Sequence, residues 1–254
     1  MGDLSDPATF SPQAIEQRLP WGPVLRGLRW GDGADVAFLI HDPGTDLDAW
    51  ATLPAEIARQ LEIETVAVDL PGHGLSDDPW DPARLPELLR NVPGIAPAVG
   101  RRFLIAAGDS ATAALDPAPS LELSGLVGFS PRSPDFGKHP ARSPRVPKLF
   151  IAGSLAGSDL DDARRLGAAC GGWAIVTSYP VAERGTGLLA SSWGGRLIEE
   201  IVAFLRDCQR HPAGEILPPY RLSPGFPSTQ RGRRSPPISG GPGTGAGTPS
   251  GPGG

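Results

Sequence analysis

The sequence has few of the residues that metal and redox sites require. Only two cysteines occur among the 254 residues, Cys170 and Cys208, and neither lies in a CxxC motif or in a cluster with histidine. Zinc sites and dithiol redox sites need such clusters, so we predict no metal site, and no cofactor motif is present. A disulfide between the two cysteines is left open, because sequence alone does not give its geometry.

The sequence also lacks long apolar runs and an excess of positive charge. No apolar run approaches the ~18 residues of a membrane helix, and the acidic N-terminus lacks the basic and apolar regions of a signal peptide. The net charge of -5 and the pI near 5.4 give no electrostatic reason to expect nucleic-acid binding. We therefore expect a cytoplasmic protein that binds neither nucleic acid nor membrane, and the sequence leaves its oligomeric state open.

Residues that can be buried become rare near the C-terminus. From about His211 the sequence consists mostly of Pro, Gly, Ser and Thr. Such a segment has too little apolar surface to offset the entropy lost on ordering, so residues 211–254 are predicted to form a disordered tail. One folded domain is expected at 20–210, after an N-terminal segment at 1–19.

Short apolar segments alternate with amphipathic helical segments in the predicted domain. This alternation indicates βαβ units, and so an α/β fold with a mainly parallel central sheet and helices on both faces. Ligands bind beyond the carboxyl ends of the strands in such sheets, so functional residues are expected there. The predicted strands are 35–41, 64–70, 102–107, 126–130, 148–152 and 173–179, and the predicted helices are a segment with Trp50, Leu53, Ile57 and Leu61 on one face, then 81–91, 159–170 and 195–207.

Three motifs follow the first three predicted strands. HDPG at 41–44 follows the first, DLPGHGLSD at 69–77 follows the second, and GDS at 108–110 follows the third. A fourth motif, ERGTGLL at 183–189, precedes the last predicted helix. In this order the motifs resemble those of the α/β-hydrolase superfamily, and the resemblance covers roughly residues 20–207. The fourth motif is similar to the HGTxLL loop of its small, capless, esterase-like members.

The resemblance implies an α/β-hydrolase fold and a serine nucleophile. It implies no cap domain, because the stretch at 131–147, where larger relatives insert a lid, is too short. Ser110 stands at the nucleophile position, on a tight turn between a strand and a helix. A serine hydroxyl is a poor nucleophile at neutral pH and needs a histidine base held by a carboxylate. The residues that the resemblance places in the oxyanion loop and the pocket are His41, Asp42, Asp109, Ala111 and Arg184.

Several positions of the resemblance carry the wrong residue for catalysis. Arg184 stands at the histidine position, and an arginine that stays protonated cannot act as a general base. Ala156 stands at the acid position. Asp159 could replace it only if the loop were rebuilt, and it is more simply the N-cap of the following helix. Thr112 and Asp42 occupy positions where glycine is usual.

These departures leave two functional hypotheses. We predict a hydrolase-fold protein that is catalytically impaired or non-catalytic and that binds a small molecule or a protein partner, because loss of one triad residue costs about 10⁴-fold in rate. The alternative is a weak serine hydrolase that cleaves small esters or lactones through Ser110, with His139 or another group recruited as the base. A register with Asp109 as a carboxylate nucleophile is disfavoured, since such enzymes also need a histidine and a cap.

Overall fold

The computed structural model describes residues 11–96, 99–116, 118, 120–132, 146–170 and 173–211. The segment 212–254 of the predicted tail and the stretch 133–145, which contains His139, lie outside the described residues. The expectations of a disordered tail and of a missing cap therefore stay predictions. Among the helices of the described part, none is both long enough and apolar enough to span a bilayer.

Eight strands form one central sheet, most of whose strands are parallel. Six of them coincide with the predicted strands, which confirms the βαβ alternation. The other two form an N-terminal antiparallel hairpin that the sequence pattern did not predict, and the sheet therefore begins at Gln13. In chain order the strands are β1 Gln13–Arg18, β2 Val24–Trp30, β3 Val36–Ile40, β4 Glu64–Val68, β5 Arg102–Ala107, β6 Leu123–Phe129, β7 Lys148–Gly153 and β8 Ala174–Tyr179.

The strand order is β1-β2-β4-β3-β5-β6-β7-β8. The pairs β1–β2 and β2–β4 are antiparallel, and every other pair is parallel. After β3 the chain first adds β4 on one side and then returns to add β5 on the other side of β3. This reversal creates the crevice in which open α/β sheets bind their ligands, at the carboxyl ends of β3 and β5.

Helices cover both faces of the sheet and bury an apolar cluster on each side. Adjacent residues of β3, Phe38 and Leu39, belong to opposite clusters, as the two-residue period of a strand requires. Ile57 and Ile201 close one face, and Leu88 and Leu166 close the other. The helices are α1 Leu53–Leu61, α2 Leu85–Asn91, α3 Gly108–Ala113, α4 Asp159–Ala169, α5 Gly187–Ala190 and α6 Gly194–Arg210, with short 3-10 turns at Leu47–Trp50, Pro82–Arg84 and Val92–Gly94.

Candidate functional site

The turn from β5 into α3 is built on Gly108. Its φ is +54°, a left-handed conformation that glycine adopts without steric cost. Hydrolases of this fold carry the nucleophile on such a turn, flanked by small residues. Ala106 and Ser110 are the small residues two positions before and after Gly108. Gly108 is therefore the residue at this turn, and it presents no side chain there.

Ser110 lies inside α3 and not at the turn. Its side chain is fully buried, and its hydroxyl donates a hydrogen bond of 2.7 Å to the carbonyl oxygen of His41. A nucleophile must be open to its substrate, whereas this hydroxyl fastens α3 to the loop after β3. The structure therefore does not present this hydroxyl to a substrate, and the nucleophile role of Ser110 stays a prediction. Ala111, the next residue, is also fully buried and belongs to the core.

The carboxylate of Asp42 fills the space in front of Gly108. A Cβ added to Gly108 would lie less than 3.0 Å from all three atoms of that carboxylate. Asp42 Oδ1 accepts the backbone N–H of Asp109 at 2.9 Å. The amide that follows the nucleophile is an oxyanion-hole donor in this fold, so a carboxylate of the chain itself occupies the donor here. Burial raises the pKa of Asp42, although the Asp109 amide and the guanidinium of Arg132 act in the opposite direction.

Arg132 joins the two carboxylates on either side of this amide. Its Nη1 lies 2.9 Å from Asp109 Oδ2, and its Nη2 lies 3.3 Å from Asp42 Oδ2. Thr112 Oγ1 donates to the carbonyl oxygen of Arg132 at 2.6 Å, so the threonine at the unusual position anchors the backbone of this arginine. The sequence analysis did not single out Arg132, because only the fold brings the end of β6 beside the turn after β5.

Arg184 and Asp159 form a second ion pair at the strand ends. Arg184 Nε donates to Asp159 Oδ2 at 3.1 Å, and its Nη2 donates to Oδ1. Asp159 is 1% exposed, and the residue at the N-cap of α4 is Ser158. The expected N-cap role of Asp159 is therefore wrong, and Asp159 is the acidic residue that contacts position 184. Ala156, expected at the acid position, is a buried apolar residue.

The loop that carries Arg184 lies against the carboxyl end of β5. Gly185 N donates to Ser130 Oγ at 2.8 Å, which ties the loop to the end of β6. A Cβ on Gly185 would lie 4.0 Å from Cβ of Ala107, the residue before the turn. The charge of Arg184 also acts on Asp42, whose pKa it lowers. The loop with Arg184 thus lies beside the turn, and the pocket role expected of Arg184 stays a prediction.

The histidines of the first two motifs, His41 and His73, form hydrogen bonds with backbone atoms. His41 is fully buried, and its Nε2 accepts the N–H of Leu70 at 2.9 Å. Its Nδ1 then carries the proton and donates to the carbonyl oxygen of Asp42 at 2.9 Å. His73 Nε2 accepts the N–H of Gly44 at 3.0 Å. Burial lowers the pKa of His41, so this ring is neutral at physiological pH and holds the loop after β3 in place.

No family model and no curated protein matches the chain. Solved structures do match it. A predicted CIB-like hydrolase from Thermoplasma acidophilum superimposes with a TM-score of 0.63 at 14% identity, over 78% of this chain and 99% of that one. Mouse alpha/beta hydrolase domain-containing protein 10 superimposes with a TM-score of 0.63 at 11% identity, over 77% of this chain and 97% of that one. An esterase from Pyrococcus furiosus superimposes with a TM-score of 0.61 at 12% identity, over 78% of this chain and 91% of that one. The chain has the α/β-hydrolase fold.

At the strand ends, this α/β-hydrolase-fold protein carries carboxylates and guanidinium groups that neutralise one another. Of the expected pocket residues, Asp42 and Asp109 both pair with Arg132, and Arg184 pairs with Asp159, whereas His41 and Ala111 are fully buried. In the described part of the chain, no group of three or more His, Cys, Asp or Glu side chains could hold a metal ion. The described strand ends therefore carry paired charges, and the residue at the turn after β5 is a glycine.

Proposed function

We propose that this protein is a non-catalytic α/β-hydrolase-fold protein that acts by binding. One observation carries the proposal. The residue at the turn is Gly108, and the Asp42 carboxylate occupies the space where a nucleophile side chain at 108 would begin. A nucleophile side chain at 108 and this carboxylate in its observed orientation exclude each other. The site therefore lacks the group that would form an acyl intermediate, and its amide donor is already occupied.

Electrostatics at the same place also disfavour acyl transfer. A tetrahedral intermediate develops negative charge on its oxygen, and an oxyanion hole must offer free donors to that charge. Here the Asp109 amide faces a carboxylate, which would repel an approaching oxyanion. Position 184, which neighbours the turn, carries a guanidinium in place of a proton acceptor. These features support a role in recognition instead of hydrolysis.

Fluorophosphonate labelling followed by intact mass measurement tests the proposal. We expect the natural protein to remain unmodified and to hydrolyse p-nitrophenyl acetate no faster than its Ser110→Ala variant. Stoichiometric labelling that Ser110→Ala abolishes would overturn the proposal and favour the weak serine hydrolase.

A rebuilt variant provides the positive control. Asp42→Gly, Gly108→Ser and Arg184→His together free the space at the turn and supply a nucleophile and a base. Asp159 stays in place to hold the new imidazole, since it already binds the side chain at 184. We expect this variant to be labelled at position 108, and adding Asp159→Asn should weaken its hydrolysis. A folded rebuilt variant that resists labelling would refute the assignment of Gly108 to the nucleophile position.

A further inference from the structure

The N-terminal hairpin borders an open groove. None of the residues that line this groove takes part in the ion pairs described above. We name it the hairpin groove, and its cavity volume is about 620 Å³, within the range of about 300–1,000 Å³ that ligand pockets show. Strands β1 and β2 supply its floor, and the 3-10 turn after β3 and the loop after β4 supply its walls. The floor and walls are formed by Ala14, Gly27, Leu28, Leu47, Gly74 and Leu75.

The floor is apolar because the two strands place small and apolar side chains on one face. Ala14 pairs with Leu28 across the hairpin, and directly opposed residues of an antiparallel pair point to the same side. Leu28 is only partly buried. Leu75, on the wall, is 72% exposed, the second most exposed large apolar side chain among the described residues. Leu28 and Leu75 thus both turn apolar surface toward the groove.

One buried carboxylate fixes both walls. Asp69 is 1% exposed, and its Oδ1 accepts the N–H of Leu47 while its Oδ2 accepts the N–H of Leu75, each at 2.8 Å. Arg26 Nη1 donates to the carbonyl oxygen of Leu75 at 2.7 Å, so the exposed leucine is held on both sides of its Cα. Gly74 has φ of +48°, and a Cβ there would collide with the Asp69 carboxylate. The groove is therefore preformed, which lowers the entropy lost on binding.

The rim of the groove is acidic. Glu16, Asp46 and Asp48 line it with exposed carboxylates. The one basic lining residue, Arg26, is already paired, since its Nη1 lies 2.7 Å from Asp77 Oδ1 and its Nε lies 3.8 Å from Glu16 Oε2. An apolar floor bordered by acidic side chains, of which Asp46 and Asp48 lie away from Arg26, complements an apolar side chain flanked by positive charges.

We propose that the hairpin groove docks a basic peptide segment of a partner protein, which inserts a leucine-like side chain against Leu28 and Leu75 while its lysines or arginines face Asp46 and Asp48. The rim charge repels acidic segments, nucleic acid and anionic lipid. The proposal concerns a surface apart from the turn at Gly108, so it stands or fails separately from the proposed absence of catalysis.

Fluorescence anisotropy with a defined probe tests the docking proposal. The probe is a fluorescein-labelled peptide, Lys-Lys-Leu-Gly-Leu-Lys-Lys, titrated with the full chain. Two further peptides separate the contributions: one replaces each Leu by Ser, and the other replaces each Lys by Glu. We expect binding of the Lys/Leu peptide that weakens as salt increases, and at least about tenfold weaker binding of both control peptides.

Matched variants locate the binding surface. Leu75→Ser and Asp48→Lys should each weaken binding of the Lys/Leu peptide by about tenfold, because the first removes apolar contact area and the second reverses a rim charge. Leu155→Ser and Asp161→Lys change another exposed leucine and another exposed aspartate, both outside the groove, and should leave the affinity unchanged. The proposal is overturned if all four variants bind alike, if the Ser peptide binds as tightly as the Leu peptide, or if about 1 mM protein gives no binding.

Discussion

Introducing a side chain at Gly108 should cost more stability when Asp42 is present than when it is absent. The structure gives the reason, because a Cβ at position 108 would overlap the Asp42 carboxylate. Asp42 has a short side chain and can rotate away, but it must then give up the Asp109 amide and the contact with Arg132. We therefore consider Gly108→Ser in two backgrounds, the natural chain and Asp42→Gly.

Two terms set the size of the effect. Placing an L-residue in a left-handed conformation costs about 1–2 kcal/mol and applies in both backgrounds. Loss of a hydrogen bond to a charged group costs about 1.5–3 kcal/mol and applies only when Asp42 is present. Gly108→Ser should thus lower the free energy of unfolding by about 2.5–5 kcal/mol in the natural chain and by about 1–2 kcal/mol in Asp42→Gly, a coupling of about 1.5–3 kcal/mol.

Urea unfolding followed by tryptophan fluorescence measures these free energies, since Trp50 is fully buried beside Phe129 and reports on the core. Gly157→Ser is the matched control. Gly157 has φ of +63°, and an added Cβ there meets nothing within 4 Å, so it isolates the backbone term. Its cost should be the same in both backgrounds. Equal costs for Gly108→Ser in the two backgrounds, within about 0.5 kcal/mol, would refute the reasoning.

Three further changes probe other features of the fold. Arg184→Leu leaves the buried carboxylate of Asp159 without its cation, and we expect a loss of about 2–4 kcal/mol in urea unfolding that Asp159→Asn partly restores; additive effects would contradict the pairing. Tyr179→Phe removes the hydroxyl that donates to buried Glu200 at 2.5 Å, and calorimetry should show a loss of about 1.5–3 kcal/mol, whereas an unchanged melting temperature would speak against this bond. Burial lowers the pKa of His41 below 6.5, so below that pH the unfolded state binds more protons than the folded state. The contribution of His41 to the free energy of unfolding should therefore be fully present above about pH 6.5 and fall at lower pH by up to about 1.4 kcal/mol per pH unit. Urea unfolding should show a shallower fall for His41→Asn than for the natural chain.

The parallel part of the fold could be predicted because its strands are buried on both faces. Segments such as Val36–Ile40 and Lys148–Gly153 are short and mostly apolar, and they alternate with helices whose apolar residues share one face. The hairpin strand Gln13–Arg18 could not be found in this way. It lies at the edge of the sheet and consists mainly of polar residues, so neither an apolar run nor a clear alternation marks it.

The site was harder to predict, because it depends on backbone conformation and on contacts between distant parts of the chain. The sequence analysis followed the serine of the Gly-x-Ser pattern, while the left-handed φ that marks the turn belongs to Gly108. A glycine directly after a buried strand was the available signal. Asp159 matched an N-cap by its position before a helix, and no local pattern reveals that its carboxylate binds Arg184, which is 25 residues away.

The mutual exclusion at the turn also constrains how such a sequence can arise. A Cβ at position 108 and the observed rotamer of Asp42 cannot coexist. In any ancestor that bore a larger residue at 108, the change to glycine had to come first, and the acidic residue could settle into its present orientation only afterwards. A single step back to a larger residue at 108 then carries a stability cost, because it must displace the Asp42 carboxylate, and that cost disappears only when position 42 changes as well.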